Sequence, residues 1–230
     1  MVGVHATANL DERIAMTSVD LTLEVPDPIV ADAFYTSAFG LGAQLCMRAS
    51  ESPTTGFRGF TLSLVVSQPA TVDRLIRDAL DAGAMPLKPV NKSFWGYGGV
   101  VRAPDGTIWK VATSSKKNAG PEARKIDQIV LLLGVSDVSA SKRFYVDCGL
   151  QVARSFGRKY VEFDTNDVKL ALYRRGALAK DAGVSPEGAG SHRIVIGSDA
   201  GPFTDPDGFV WEATGQSVRR AALANGSSTL

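Results

Sequence analysis

Apolar and polar residues alternate along 19–25, with Leu21, Leu23 and Val25 on one side and Asp20, Thr22 and Glu24 on the other. That is the period-two pattern of a strand with one buried face. Asp27 stands ready to cap a helix over 28–38 that opens on proline, so the first free N–H groups gain an acceptor and no needed donor is lost. Val30, Ala33, Phe34 and Ser37 share one face of that helix. Residues 41–48 read as a second strand and 61–66 as a third, in which Leu62, Leu64 and Val66 oppose Thr61, Ser63 and Val65. Val72, Leu75, Ile76 and Leu80 recur at helical spacing over 69–82, which Gly83 closes. Strands over 100–102 and 107–112 flank Pro104-Asp105-Gly106 as a hairpin. The order then begins again. A strand over 129–135 leads to a helix over 137–147 and strands over 151–156, 160–164 and 168–173. A Gly/Pro-rich loop follows, then a strand over 193–196 and a last hairpin around Asp207-Gly208.

This recurrence is an internal repeat. Val25-Pro26-Asp27, Phe34-Tyr35 and Gly40-Leu41 return as Val135-Ser136-Asp137, Phe144-Tyr145 and Gly149-Leu150. Pro104-Asp105-Gly106-Thr107-Ile108-Trp109 returns as Pro206-Asp207-Gly208-Phe209-Val210-Trp211. The offsets are 110 and 102, and only 15 positions separate His192 from Asp207 where 44 separate Thr61 from Asp105, so the last unit has lost its helix. The expected division is an N-terminal extension over 1–15 that matches nothing in the repeat and leaves Met16 as an alternative start, a first domain over 16–114, a polar linker over 115–124, a shortened second domain over 125–214 and a flexible tail over 215–230.

Composition narrows the function without naming it. Lys and Arg number 25 against 24 Asp and Glu, a net charge of +1, which gives neither a nucleic-acid footprint nor an acidic tail. No apolar run approaches the ~20 residues of a membrane span and the N-terminus lacks a signal-peptide stretch. Two cysteines, Cys46 and Cys148, form no disulfide framework and stand near no histidine that would make a catalytic thiol, so a reducing, cytoplasmic setting is expected. With two histidines, His5 and His192, a multi-histidine metal cage is excluded. The glycine stretches at 96–99 and 183–190 lack the strand-to-helix setting of a phosphate loop.

A strand ending in V-x-D, a helix ending in F-Y, then G-L, and later a P-D-G-x-x-W hairpin, each present twice across about residues 17–114 and 126–214, resemble the vicinal oxygen chelate superfamily. That group holds glyoxalase I, extradiol dioxygenases, fosfomycin-resistance enzymes and bleomycin-resistance proteins. The run Ser93-Phe94-Trp95-Gly96-Tyr97-Gly98 is similar to the bleomycin-resistance branch. The resemblance implies an α+β fold of two tandem glyoxalase-like domains, built of βαβββ units whose curved mixed sheets surround a cavity, with the last unit truncated. It also implies where metal ligands would stand. Carried over by position, the first half offers Asp20, Thr61 and Lys110, and a lysine in the carboxylate position puts a cation where a cation would bind. The second half offers His192, Glu212 and, two residues from the counted position Val130 but on the same strand face, Gln128.

The resemblance therefore implies a metal-free small-molecule-binding protein of the glyoxalase/bleomycin-resistance type, sequestering a drug or metabolite with no cofactor. Asp20, Thr22, Thr61, Ser63 and Lys110 would form the floor of its site, and Phe94, Trp95 and Tyr97 the wall. Asp20 could act as a base, hold a ligand amine, stand solvated, or join Lys110 in a salt bridge across the empty metal position. The aromatic run suits a flat or cationic ligand, and equally a plug at a barrel end. Trp109 and Trp211 read as core; Tyr160, Tyr173 and Arg154 either line a second cavity or pack within the sheet. The alternative is a lyase, isomerase or dioxygenase using a divalent ion at Gln128, His192 and Glu212 to polarise a substrate carbonyl or enediolate. Without a metal, His192 and Glu212 could be an acid/base pair, or simply a loop histidine and a carboxylate paired with a nearby Arg or Lys. A third reading has the second half completing the fold while the protein acts through partners. The expected partner is a small-molecule ligand, with no nucleic acid and no membrane; the free sheet edges that commonly pair in this superfamily leave both a monomer and a homodimer open.

Overall fold

The computed structural model describes residues 17–42, 44–94 and 96–213; the extension over 1–15, the start at Met16, the tail over 215–230 and Trp95 lie outside them. In chain order the elements are β1 (Val19–Val25), α1 (Pro28–Phe39), β2 (Cys46–Ala49), β3 (Thr54–Gly56), β4 (Phe60–Val65), α2 (Pro69–Asp81), β5 (Met85–Ser93), β6 (Gly96–Arg102) and β7 (Ile108–Thr113). There follow β8 (Gln128–Val135), α3 (Val138–Asp147), β9 (Val152–Phe156), β10 (Tyr160–Phe163), β11 (Val168–Arg174), α4 (Arg175–Ala182), β12 (Gly188–Gly190), β13 (Ile194–Ser198), β14 (Phe203–Thr204) and β15 (Val210–Ala213). No helix among the described residues is long and apolar enough to cross a membrane.

The repeated motifs are fold-building devices. Asp27 accepts from the N–H groups of Ile29 and Val30 at 2.9 and 3.1 Å, and Asp137 accepts from Ser139 and Ala140 at 2.8 and 3.2 Å. Each carboxylate thus ends a strand and caps the next helix. Gly40 closes α1 in the left-handed conformation, φ 72°, and the N–H of Leu41 reaches back to the Tyr35 carbonyl at 3.1 Å. Leu41 is thereby committed to the helix end, so the strand expected over 41–48 begins only at Cys46. Tyr35 donates its hydroxyl to Asp105 at 2.7 Å, joining the first helix to the first P-D-G turn. In the second copy Tyr145 donates to Asp205 at 2.5 Å, and Asp207, the counterpart of Asp105 in the motif, instead accepts from the Ser136 N–H and the Ser141 hydroxyl.

Two sheets and a ribbon carry the fold. The larger sheet runs β5-β6-β7-β4-β8-β11-β10-β9, the smaller β14-β15-β13-β1-β2, and β12 pairs with β3 alone. The larger sheet therefore joins β4-α2-β5-β6-β7 edge to edge with β8-α3-β9-β10-β11, two complete βαβββ units. The first and last strands of the described residues meet in the smaller sheet, where β1 lies antiparallel to β13. The sheets are thus not divided at 16–114 and 125–214, because each takes strands from both halves. The helices interlock the same way. Tyr35 of α1 packs 5.4 Å from Trp109 of the larger sheet, and Tyr145 of α3 packs 5.3 Å from Trp211 of the smaller. Both tryptophans are core, as their place in the repeat predicts.

Elements without an amphipathic signature escaped the sequence. Strand β5 carries Pro86 and Pro89 and slips register twice against β6, which an edge strand tolerates. The expected loop before β13 holds the short helix α4 and the strand β12, and no second helix follows β13.

Candidate functional site

One face of the larger sheet is a hollow, and its floor follows from register. Ser63 stands opposite Lys110 on β7 and Val130 on β8, and Val130 stands opposite Lys169 on β11. Thr61 faces Leu132, and Val65 faces Ala112 and Gln128. Side chains alternate along strands, so these residues share one side of the sheet while Leu62, Leu64, Trp109 and Leu131 form the core on the other.

Helix α4 lies in this hollow. Leu178, Ala179 and Ala182 bury against Phe57, Val100 and Ile108, with Leu132 and Tyr173 packed alongside. Its last turn is fastened by two lysines. Lys110 donates to Asp181 at 2.7 Å, and Lys88 donates to the Lys180 carbonyl at 2.8 Å. Beyond Asp181 the hollow stays open as a cleft of about 410 Å³. Val65, Val100 and Ala112 give it an apolar floor, while Lys88, Asn91, Lys110 and Asp181 bring polar groups to its walls. A pocket of this size suits a small organic molecule fixed by a few polar contacts.

The smaller sheet has a polar face of its own. Asp20 and Glu212 both register with Gly197 between them, Thr22 faces Cys46, and Glu24 faces Arg48. Arg48 donates both terminal nitrogens to Glu212, at 3.1 and 2.9 Å, and lies 3.8 Å from Glu24. The bond to Glu212 is the main reason the Arg48 pKa is raised. Burial, and then the Asp167 and Asp199 carboxylates, push the Asp20 pKa up. The expected floor is thus split: Thr61, Ser63 and Lys110 stand together in the larger sheet, and Asp20 and Thr22 in the smaller. The expected Asp20–Lys110 salt bridge is replaced by Lys110–Asp181.

The wall residues also part company. Tyr97 borders the cleft, while its hydroxyl reaches toward α2 and donates to Asp73 at 2.7 Å and its side chain packs against the main core. Phe94 is 82% exposed beneath the Lys116 ammonium, 5.8 Å from the ring centre. Tyr160 donates to Glu162 at 2.9 Å and packs 6.1 Å from Tyr173, while Arg154 registers with Glu162 on β10.

The three alternative ligand positions do not converge. Gln128 belongs to the larger sheet and Glu212 to the smaller, where Arg48 holds its carboxylate. His192 stacks on Phe209 at 4.0 Å and presents Nδ1 to the Arg58 carbonyl at 2.5 Å and Nε2 to the Asp207 carbonyl at 3.1 Å. Both ring nitrogens are turned to main-chain carbonyls of loops, away from Gln128 and Glu212. Among the described residues no group of three or more His, Cys, Asp or Glu gathers as a metal site. A divalent ion needs several anionic or imidazole donors at one point, so these residues do not fit one. The reading of His192 and Glu212 as a loop histidine and an Arg-paired carboxylate matches this geometry. Lys88, Asn91, Asp181 and Arg48 were missed by the sequence reading: Asp181 sits on an unread helix, and the others acquire neighbours only when strands pair.

No protein-family model and no curated protein matches the sequence. Solved structures do. Glyoxalase I from Zea mays superposes with a TM-score of 0.54 at 15% identity, over 90% of this chain and 96% of that one. A mutant of that glyoxalase I gives 0.53 at 16% identity, over 85% and 93%. At such identities the likeness is one of fold: the chain has the vicinal oxygen chelate fold, in its tandem glyoxalase-like form.

Proposed function

We propose that the protein binds a small organic molecule in the cleft of the larger sheet, without a metal ion, and that it sequesters a drug or metabolite there. The observation that carries this reading is the Lys110–Asp181 pair at 2.7 Å on the wall of the cleft. An ammonium stands where the resemblance asks for a chelating carboxylate, and a helix from the same chain supplies its counter-charge. The lysine commits one of its three N–H donors to Asp181 and keeps others for a ligand acceptor. Asn91 offers both a donor and an acceptor, while the floor of Val65, Val100 and Ala112 takes an apolar body. The ligand chemistry that fits is a compact molecule with an apolar face and at least one acceptor directed at Lys110. Two free cysteines accord with a reducing, cytoplasmic setting.

Thermal shifts across a panel of aromatic drugs and metabolites test the reading, followed by titration of any hit against Lys110→Glu. Saturable stabilisation that the variant loses supports it. Stoichiometric zinc, nickel, manganese or iron in protein purified without a His tag, lost on His192→Ala, would overturn it in favour of a metal enzyme.

A further inference from the structure

Two lysines stand in one row of the larger sheet. Lys88 on β5 registers with Val100 on β6, and Val100 registers with Lys110 on β7, so the three side chains share a face with the valine in the middle. The next row on that face holds Asn91, Gly98 and Ala112. A bulge between Lys88 and Asn91 keeps both in line with Val100 and Gly98. All six residues line the cleft. Gly98 leaves the middle of its row bare and Ala112 adds only a methyl group, so an apolar trough runs beside the lysines.

Charge around the lysine row is unbalanced. Each ammonium commits one of its three N–H donors to the last turn of α4, Lys110 to the Asp181 carboxylate at 2.7 Å and Lys88 to the Lys180 main-chain carbonyl at 2.8 Å. Residues 180 and 181 are neighbours, so the two ammonium groups converge on one turn although their strands are separated by β6. A main-chain carbonyl orients Lys88 but does not neutralise it. Two ammonium groups against the Asp181 carboxylate leave one positive charge in the lining of the cleft.

A monoanion completes that balance. An amine would add a third cation, a neutral ligand would leave the excess charge in place, and a phosphate dianion would set surplus negative charge against Asp181. The protein walls of a cleft strengthen the field on an incoming charge. The Asp181 side chain is 48% exposed, so an incoming carboxylate can share or take its place on Lys110 without uncovering buried surface. In offering a carboxylate and a carbonyl to the two lysines, α4 supplies from within the chain the oxygens that such a ligand would bring.

We infer that the ligand is a small organic acid, its carboxylate seated between Lys88 and Lys110 in competition with Asp181 and its apolar body over Gly98 and Ala112, an inference that rests on the cleft being the binding site.

Calorimetric titration of the full chain with phenylacetate, phenylacetamide, phenethylamine and phenyl phosphate, at ionic strength matched with sodium chloride, tests it. Phenylacetate is expected to bind at least tenfold more tightly than phenylacetamide, and more tightly than the amine and the phosphate. The ratio of carboxylate to amide affinity should rise at least threefold in Asp181→Asn, which removes the competing charge. It should fall at least threefold in Lys88→Gln, which keeps a donor for the Lys180 carbonyl. No saturable binding of phenylacetate, binding of another probe as tight as that of phenylacetate, or a ratio that Asp181→Asn leaves unchanged or lowers, overturns the inference. Failure of the cleft itself has a different signature: probe binding that Lys110→Glu leaves intact, which overturns both.

Discussion

Arg48 grips Glu212 with two parallel hydrogen bonds, 3.1 and 2.9 Å, between strands that lie 164 residues apart in the chain. The carboxylate that the repeat sets in a metal-ligand position therefore already has a cation, and it is an arginine from the other end of the sequence. The side chains are only 21% and 14% exposed, so the pair is shielded from solvent.

Removing one member should accordingly cost more than a surface ion pair is worth. Arg48→Met is expected to lower unfolding stability by about 2 kcal/mol, because it leaves Glu212 half-buried and without its main partner. The double variant Arg48→Met, Glu212→Leu should recover most of that loss. Urea denaturation of both variants and of Glu212→Leu alone closes the cycle.

Lys110 and Asp181 present the contrasting case. Their side chains are 35% and 48% exposed, so Asp181→Ala should change stability by less than about 1 kcal/mol. If the cleft is the binding site, Lys110→Glu should nevertheless abolish ligand-induced stabilisation. Thermal denaturation with and without ligand separates the two effects.

Leu178 anchors α4 in the hollow at 1% exposure. Truncation to alanine removes its packing against the strands below and leaves a void, at an expected cost of about 2–4 kcal/mol. Denaturant unfolding measures it, and a loss under 1 kcal/mol would mean that α4 is only loosely seated.

The two tyrosine–aspartate bonds should differ in weight. Asp205 is 5% exposed, whereas Asp105 is half-buried, so Tyr145→Phe strands a more deeply buried acceptor than Tyr35→Phe does. The expected costs are about 2–3 and about 1–2 kcal/mol respectively. Equal values in urea unfolding would count against burial as the cause.

Asp20 sets a pH dependence of definite sign. Burial first, then Asp167 and Asp199, raise its folded pKa above the ordinary value of 3.8. The folded chain therefore holds this proton to higher pH than the unfolded chain. Its effect on stability is adverse above the folded value, eases as pH falls through the interval, and is gone below 3.8. Asp20→Asn should raise the melting temperature at neutral pH, and the gain should vanish at about pH 3. Thermal scans of both proteins across that range provide the check.

Much of this was legible in the chain because it is local. The cap at Asp27, the hairpins at the P-D-G turns and the alternation along β1 and β4 all depend on neighbours within a few residues, so their signals sit in the sequence. The Phe-Tyr and Pro-Asp-Gly motifs were visible too, although their contact was not. Helix α4 has no apolar periodicity long enough to read, and β5 is interrupted by two prolines.

By itself the sequence determined the periodic elements, the repeat and the lysine at position 110, since each follows from backbone preference or a motif counted along one chain, and its resemblance to the vicinal oxygen chelate superfamily implied the fold. Only the tertiary structure decided which strands share a sheet, and with that which candidate residues meet. Strand pairing is set by long-range burial of apolar faces, which is blind to the polar residues carried on the opposite faces. So Asp20 was taken from Lys110, Glu212 was delivered to Arg48, and the hollow above Ser63 was given to α4, whose apolar residues bury there.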